Sequence, residues 1–169
     1  EGKLHGFQLW INMPARLKMS KPEYIYIDAD KMSVYKDGDK QVKVIAGKFE
    51  KAEGPIKEHN IKPTYFDVEL KKEKEFSYSL PSTHNTFIYL INGEIKIGEK
   101  KHDKVNDSTL ILLSKGEALK VKAKTNSKFL IISGEPIKEK IARGGPFVMN
   151  TKAEILQAVQ DYHNGTFVK

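Results

Sequence analysis

Five histidines, His5, His59, His84, His102 and His163, are the side chains of this sequence best suited to metal or acid–base chemistry. Imidazole nitrogens joined by a carboxylate suit divalent iron or manganese, provided the fold gathers several at one point. On a strand, residues two apart share a face, so a His-x-His or His-x-Glu pair would be the natural device. No such pair occurs anywhere in the chain. His5, His59, His102 and His163 lie far apart in polar or turn-like contexts and read as surface or hydrogen-bonded histidines. His84 follows Pro81-Ser82-Thr83 at the mouth of the predicted barrel and is the one candidate pocket residue, beside the plainer reading of a satisfied structural histidine.

Other chemistries are absent from the sequence or poorly supported by it. There is no cysteine, which excludes thiolate zinc sites, iron–sulfur clusters, cysteine nucleophiles and disulfides. No Gly-x-Ser-x-Gly elbow, phosphate-cradling Gly-x-x-x-x-Gly-Lys-Ser/Thr or Gly-x-Gly-x-x-Gly is present. Gly144-Gly145-Pro146 resembles an anion loop, but proline lacks an N–H, so the segment reads as a turn leading toward a helix. The acidic residues mostly alternate with lysine, as in Lys71-Lys72-Glu73-Lys74-Glu75, the pattern of a solvated loop or edge.

The elements that must carry these residues are mainly short strands. Runs rich in β-branched and aromatic residues are punctuated by Gly, Pro, Asn and Asp, which predicts an antiparallel barrel or sandwich. Strands are expected at Gly6 to Asn12, Tyr24 to Ile27, Val42 to Ala46, Thr64 to Leu70, Phe87 to Ile91, Glu94 to Gly98, Thr109 to Leu113, Ala118 to Ala123 and Phe129 to Gly134. Asn92-Gly93 suits a tight type I′ turn joining the two runs around it into a hairpin, and Lys36-Asp37-Gly38-Asp39 a second turn. Gly54-Pro55 reads as a loop. Thr151 and Glu154 stand at capping-box spacing, and Ile155, Ala158, Val159 and Tyr162 share one apolar face. A helix from about residue 152 to 163, stopped at Asn164-Gly165, follows.

The 169 residues fit one domain of ordinary size with short extensions. A net charge of +7 invites the thought of nucleic acid, yet the lysines are dispersed among acidic residues and only Arg16 and Arg143 are arginines. Bidentate phosphate and base recognition leans on arginine, so direct nucleic-acid binding is not expected. No apolar run approaches the ~20 residues of a membrane span, and Glu1-Gly2-Lys3-Leu4-His5 has no hydrophobic signal region, so no membrane association is expected. The expected location is cytoplasmic, or nuclear if the source is eukaryotic.

Three stretches together resemble the pirin family: His5-Gly6-Phe7-Gln8-Leu9-Trp10-Ile11-Asn12-Met13-Pro14-Ala15, His84-Asn85-Thr86-Phe87-Ile88-Tyr89 through Gly93-Glu94, and Gly144-Gly145-Pro146-Phe147-Val148-Met149-Asn150-Thr151. The first and third are specific and the second is generic to cupins. The resemblance implies an all-β fold, a cupin (RmlC-like jelly-roll) antiparallel β-barrel with one C-terminal α-helix. It also implies that residues 1–15 are the last strand of an N-terminal cupin or a swapped strand, 16–149 the C-terminal barrel and 150–169 the helix and tail.

Pirins resemble two cupin barrels packed face to face, with one iron held by three histidines and a glutamate in the N-terminal barrel. Those ligands precede the Gln-Leu-Trp strand, so on this resemblance iron belongs to a cupin ahead of Glu1 and no cofactor to this chain. Aligned on Gly93, the hairpin offers His84, while Asn85, Thr86 and Phe87 fill the places of a second histidine and a glutamate. Leu119 stands where a later strand would supply another histidine. The resemblance therefore assigns no catalytic, cofactor-binding or metal residue here. It also implies a fragment or processed product whose residues 7–12 pair with the missing N-terminal half or with a second copy of the chain. Three roles follow: a scaffold and pocket wall for the iron-bearing cupin, a part of an iron-dependent quercetin 2,3-dioxygenase, or a transcription co-regulator binding a protein partner.

Overall fold

The computed structural model describes residues 5–56, 61–98 and 104–168. His59 and His102 lie outside the described residues. Strands follow in order as β1 (Ser33–Lys36), β2 (Lys40–Ala46), β3 (Lys48–Phe49), β4 (Ala52–Glu53), β5 (Thr64–Leu70), β6 (Glu75–Ser79), β7 (Asn85–Asn92), β8 (Ile95–Ile97), β9 (Lys104–Val105), β10 (Thr109–Leu112), β11 (Ala118–Ala123), β12 (Ser127–Gly134), β13 (Ala142–Gly144) and β14 (Phe147–Met149). One helix, α1 (Lys152–His163), comes after them.

The chain divides into two compact units, Ile25–Pro136 and a second made of Glu1–Tyr24 with Ile137–Lys169. In the larger unit a six-stranded sheet of order β1-β2-β5-β12-β7-β10 faces a four-stranded sheet of order β6-β11-β8-β9, all pairs antiparallel. The expected barrel thus takes the form of two sheets around one core. Alternation explains which side chains enter it: on β5 Phe66, Val68 and Leu70 are buried while Tyr65, Asp67 and Glu69 look outward. Val42 and Val44 of β2, Ile88 and Leu90 of β7 and Phe129 and Ile131 of β12 extend the same face. The facing sheet contributes Phe76, Ile95, Leu119, Val121 and Ala123. Each fully buried Phe, Ile, Leu or Val contributes about 1.5–3 kcal/mol, so this cluster carries most of the unit's cohesion.

Gly93 does not turn a hairpin. Its φ of +94° fits the expected glycine position, but β7 pairs with β12 and β10, whereas β8 pairs with β11 and β9. The chain crosses from one sheet to the other at this point. The backbone of Asn126 and Ser127 closes over Gly93, leaving no room for a side chain. The turn expected at residues 36–39 does form and joins β1, a strand not expected from sequence, to β2 as a hairpin: Asp37 Oδ1 accepts from the backbone N–H of Asp39 and of Lys40, each at 3.0 Å.

The expected strand at 24–27 does not form, and residues 6–12, expected to pair outside this chain, join no sheet among the described residues. Residues 6–12 and 24–27 have extended or irregular backbone without ladder partners, and Tyr24, Ile25 and Tyr26 are highly exposed. Their apolar composition suits a strand, but neither segment pairs with a described strand. β6 begins at Glu75, the last residue of the stretch read as a solvated loop or edge, and it is an edge strand in which Phe76 and Tyr78 alternate into the core behind the charged turn.

The smaller unit centres on the β13/β14 hairpin and α1. Thr151 Oγ1 accepts from the Glu154 N–H at 3.2 Å while Glu154 Oε2 accepts from the Thr151 N–H at 2.7 Å, the reciprocal capping box expected from spacing. The helix buries Ala158, and a Cβ on Gly144 of the hairpin would strike Ile155, so only glycine permits that approach. Phe147 packs on Phe167 and Tyr162 with ring centroids 5.1 and 6.0 Å away. Lys18 Nζ donates to Asn12 Oδ1 and, at 3.0 Å, to the Val148 carbonyl, and the Ala15 N–H donates to Glu139 Oε2 at 2.8 Å. These bonds tie the N-terminal segment to the hairpin.

Candidate functional site

His84 sits in the turn before β7 and is only 7% exposed. Its N–H donates to the Pro81 carbonyl at 3.0 Å, which holds the turn that aims the imidazole inward. Nδ1 lies 3.1 Å from Ser133 Oγ, and Thr86 Oγ1 donates to the same oxygen at 3.1 Å. Thr86 and Ser133 face each other across the β7/β12 ladder, so the register itself builds this buried polar trio. Burial pushes the His84 imidazole below its ordinary range; Glu135 opposes this, while Lys62 and Lys115 reinforce it. Lys115 clasps the turn, donating to the Thr83 and His84 carbonyls at 2.8 and 2.9 Å and to Asn85 Oδ1 at 2.9 Å. The trio can hold a neutral imidazole in place; Ser133, at 2% exposure, is shut off from solvent.

The positions that would complete a metal set offer the wrong donors. Asn85 is exposed and held by Lys115, Thr86 is spent on Ser133, and Leu119 is packed in the core. The space between the sheets is filled by aromatic rings. Phe49 stacks on Phe76 at 5.2 Å and meets Phe66 edge-on at 5.8 Å, and Phe76 meets Phe129 edge-on at 6.1 Å. Among the described residues no group of three or more His, Cys, Asp or Glu side chains converges to hold a metal ion. His5 is exposed and lies 4.9 Å from the Phe7 ring, and His163 ends α1 beside Tyr162. Neither is near His84 in sequence or sheet. No helix among the described residues is long and apolar enough to cross a membrane.

Two grooves were not anticipated from sequence. One, of about 560 Å³, opens at the end of the six-stranded sheet and is lined by Lys36, Gln41, Lys71, Asn92 and Asn126. These residues come from the ends of five separate strands and carry no shared motif, so only the folded register assembles them. The other, of about 680 Å³, belongs to the smaller unit and is walled by Trp10, Met13, Phe147, Met149 and Phe167. Its residues come from the two distinctive sequence stretches at Gln8-Leu9-Trp10 and Gly145-Pro146-Phe147, which was the available signal.

Comparison with known proteins places this geometry among relatives. The Pirin C-terminal cupin domain matches residues 65–168. A pirin-like protein of Caulobacter vibrioides is 36% identical over 169 residues, covering 99% of this chain and 60% of that protein. Human pirin is 33% identical over 168 residues, covering 97% of this chain and 57% of that protein. The chain thus spans about three fifths of the length of these relatives. A crystal structure of quercetin 2,3-dioxygenase from Acinetobacter baumannii superposes with a TM-score of 0.83 at 30% identity, covering 94% of this chain and 55% of that one.

Proposed function

The chain belongs to the pirin family, and from that premise we propose that it serves as a cupin half without a metal, a scaffold and pocket wall for an iron-bearing N-terminal cupin. The observation that carries this reading is the filled interior: Phe49, Phe66, Phe76 and Phe129 occupy the space between the sheets, and Leu119 stands where a metal-binding cupin would carry a histidine. The donors at His84, Asn85 and Thr86 do not fit iron, because two of the three are neutral oxygens already bonded to Ser133 and Lys115. The exposed Phe7, Trp10 and Ile11 supply the apolar surface toward the N-terminal cupin.

A second reading concerns the whole protein. The superposition on a quercetin 2,3-dioxygenase at 30% identity favours oxygenase chemistry on a flavonol-like substrate, conducted outside this chain. The test is metal analysis and oxygen uptake with quercetin, run on this chain and on the protein carrying both cupins. Iron and turnover are expected only with both cupins. Stoichiometric iron in this chain alone would overturn the scaffold reading, and an iron-loaded two-cupin protein without oxygen uptake would overturn the oxygenase reading alone.

A further inference from the structure

The groove at the end of the six-stranded sheet has a surplus of hydrogen-bond donors, and we propose that it binds a small organic anion bearing phosphate or carboxylate groups. The charge count at its rim decides the sign. Three carboxylates lie there and each is already taken: Asp37 by Lys40 at 2.7 Å, Asp39 by Lys74 at 3.0 Å and Glu69 by Lys128 at 3.0 Å. Lys36 and Lys71 line the groove with no carboxylate partner among the described residues. Lys128 also bridges Asp67 at 3.5 Å, so the lysines here outnumber the carboxylates by one, and the two ammonium groups without a carboxylate face one open space.

The neutral lining points the same way. The carboxamides of Gln41 and Asn92 have no hydrogen-bond partner among the described residues, and Asn126 uses its oxygen to accept from the Lys72 N–H at 2.9 Å. That bond leaves the Asn126 amide protons as donors toward the groove. Ammonium and amide donors together match anionic oxygens, with charge-assisted bonds the stronger component. A volume of about 560 Å³ lies within the range of small-molecule sites and exceeds the needs of a lone inorganic ion. Gln41 and Glu69 are cross-strand partners, so the groove floor is built on a rigid ladder.

Isothermal titration of the purified protein at low salt with citrate, glucose 6-phosphate and glucose tests the assignment. Saturable one-to-one binding of citrate or glucose 6-phosphate is expected, with no heat from glucose; which anion binds tighter identifies the carboxylate or phosphate source. A Lys36→Gln/Lys71→Gln double variant should weaken binding at least about tenfold. A Lys48→Gln/Lys152→Gln control, which removes the same charge elsewhere on the surface, should leave it unchanged. Absence of saturable binding, or equal weakening by both double variants, overturns the proposal.

Discussion

His84 Nδ1 and Ser133 Oγ lie 3.1 Å apart, both buried, in a turn and a strand that are 49 residues apart in sequence. Ser133 has one hydroxyl proton. With Thr86 donating to its oxygen, that proton is available to Nδ1 when the imidazole carries its own proton on Nε2. Removing the ring leaves a buried hydroxyl without its acceptor. His84→Ala is expected to lower stability by about 1–3 kcal/mol in urea unfolding, and iron content should not change. A loss of bound iron on this substitution would make His84 a ligand.

The same environment sets a pH dependence. Burial, the largest influence, depresses the folded imidazole below its ordinary 6.5. The unfolded chain therefore binds the proton more readily than the folded one. Stability from this group is complete above 6.5 and is lost as pH falls through that value toward the depressed folded one. Between about pH 7 and about pH 5 the melting temperature should fall further for the native chain than for His84→Gln, which cannot titrate. Parallel curves would mean the imidazole is solvated in the folded state.

Gly93 separates two causes of glycine dependence. Its φ of +94° strains any side chain, and a Cβ there would also meet the Asn126 carbonyl oxygen and Ser127 Cα, each at 2.7 Å. Alanine should cost more than about 2 kcal/mol, since the left-handed conformation alone costs roughly 1–2. Asparagine tolerates positive φ but not the collision, so Gly93→Asn should fare no better. Recovery of stability by asparagine would show that φ alone matters.

The helix cap offers a local test. Thr151→Ala removes the oxygen that accepts from the Glu154 N–H and should cost about 1 kcal/mol, read as a lower melting temperature of the helical circular dichroism signal. The hydrogen bonds from the Thr151 side chain, and then from the Asn150 and Thr151 backbone, hold the Glu154 carboxyl below its usual range. Its stabilising contribution is present above the ordinary carboxylate range and fades as pH falls. Thr151→Ala should therefore also flatten the acid limb of the stability profile; an unchanged limb would remove Glu154 from the cap.

Sequence reading succeeded where local rules and tertiary packing agree. The alternation in Thr64–Leu70 and Ala118–Ala123, the Asp37 turn and the Thr151/Glu154 box are each fixed within a few residues, and each lies where expected. Residues 24–27 misled because an apolar run announces a strand without saying whether a neighbouring strand will receive it, whereas residues 6–12 were expected to pair outside this chain. Asn92-Gly93 misled differently: the glycine was required, but by the approach of Asn126 and Ser127 at the link between β11 and β12, which no short-range rule contains. The lysine and amide groove was illegible because Lys36, Lys71 and Asn92 converge only through sheet order.

Leu119 gives the sharpest test of the scaffold reading, because it stands where a metal-binding cupin would carry a histidine and yet is 3% exposed within the apolar cluster. A histidine there would bury a polar ring among Phe and Val side chains and forfeit the leucine's packing. Leu119→His is expected to destabilise the fold on the order of 3 kcal/mol. It should also recruit no iron, because Thr86 and Asn85 remain committed to Ser133 and Lys115 and the interior stays filled by Phe49 and Phe76. A stable Leu119→His variant that takes up iron would mean the opposite: the interior has room for a metal, only a ligand is missing, and the filled core is not what keeps this cupin without one.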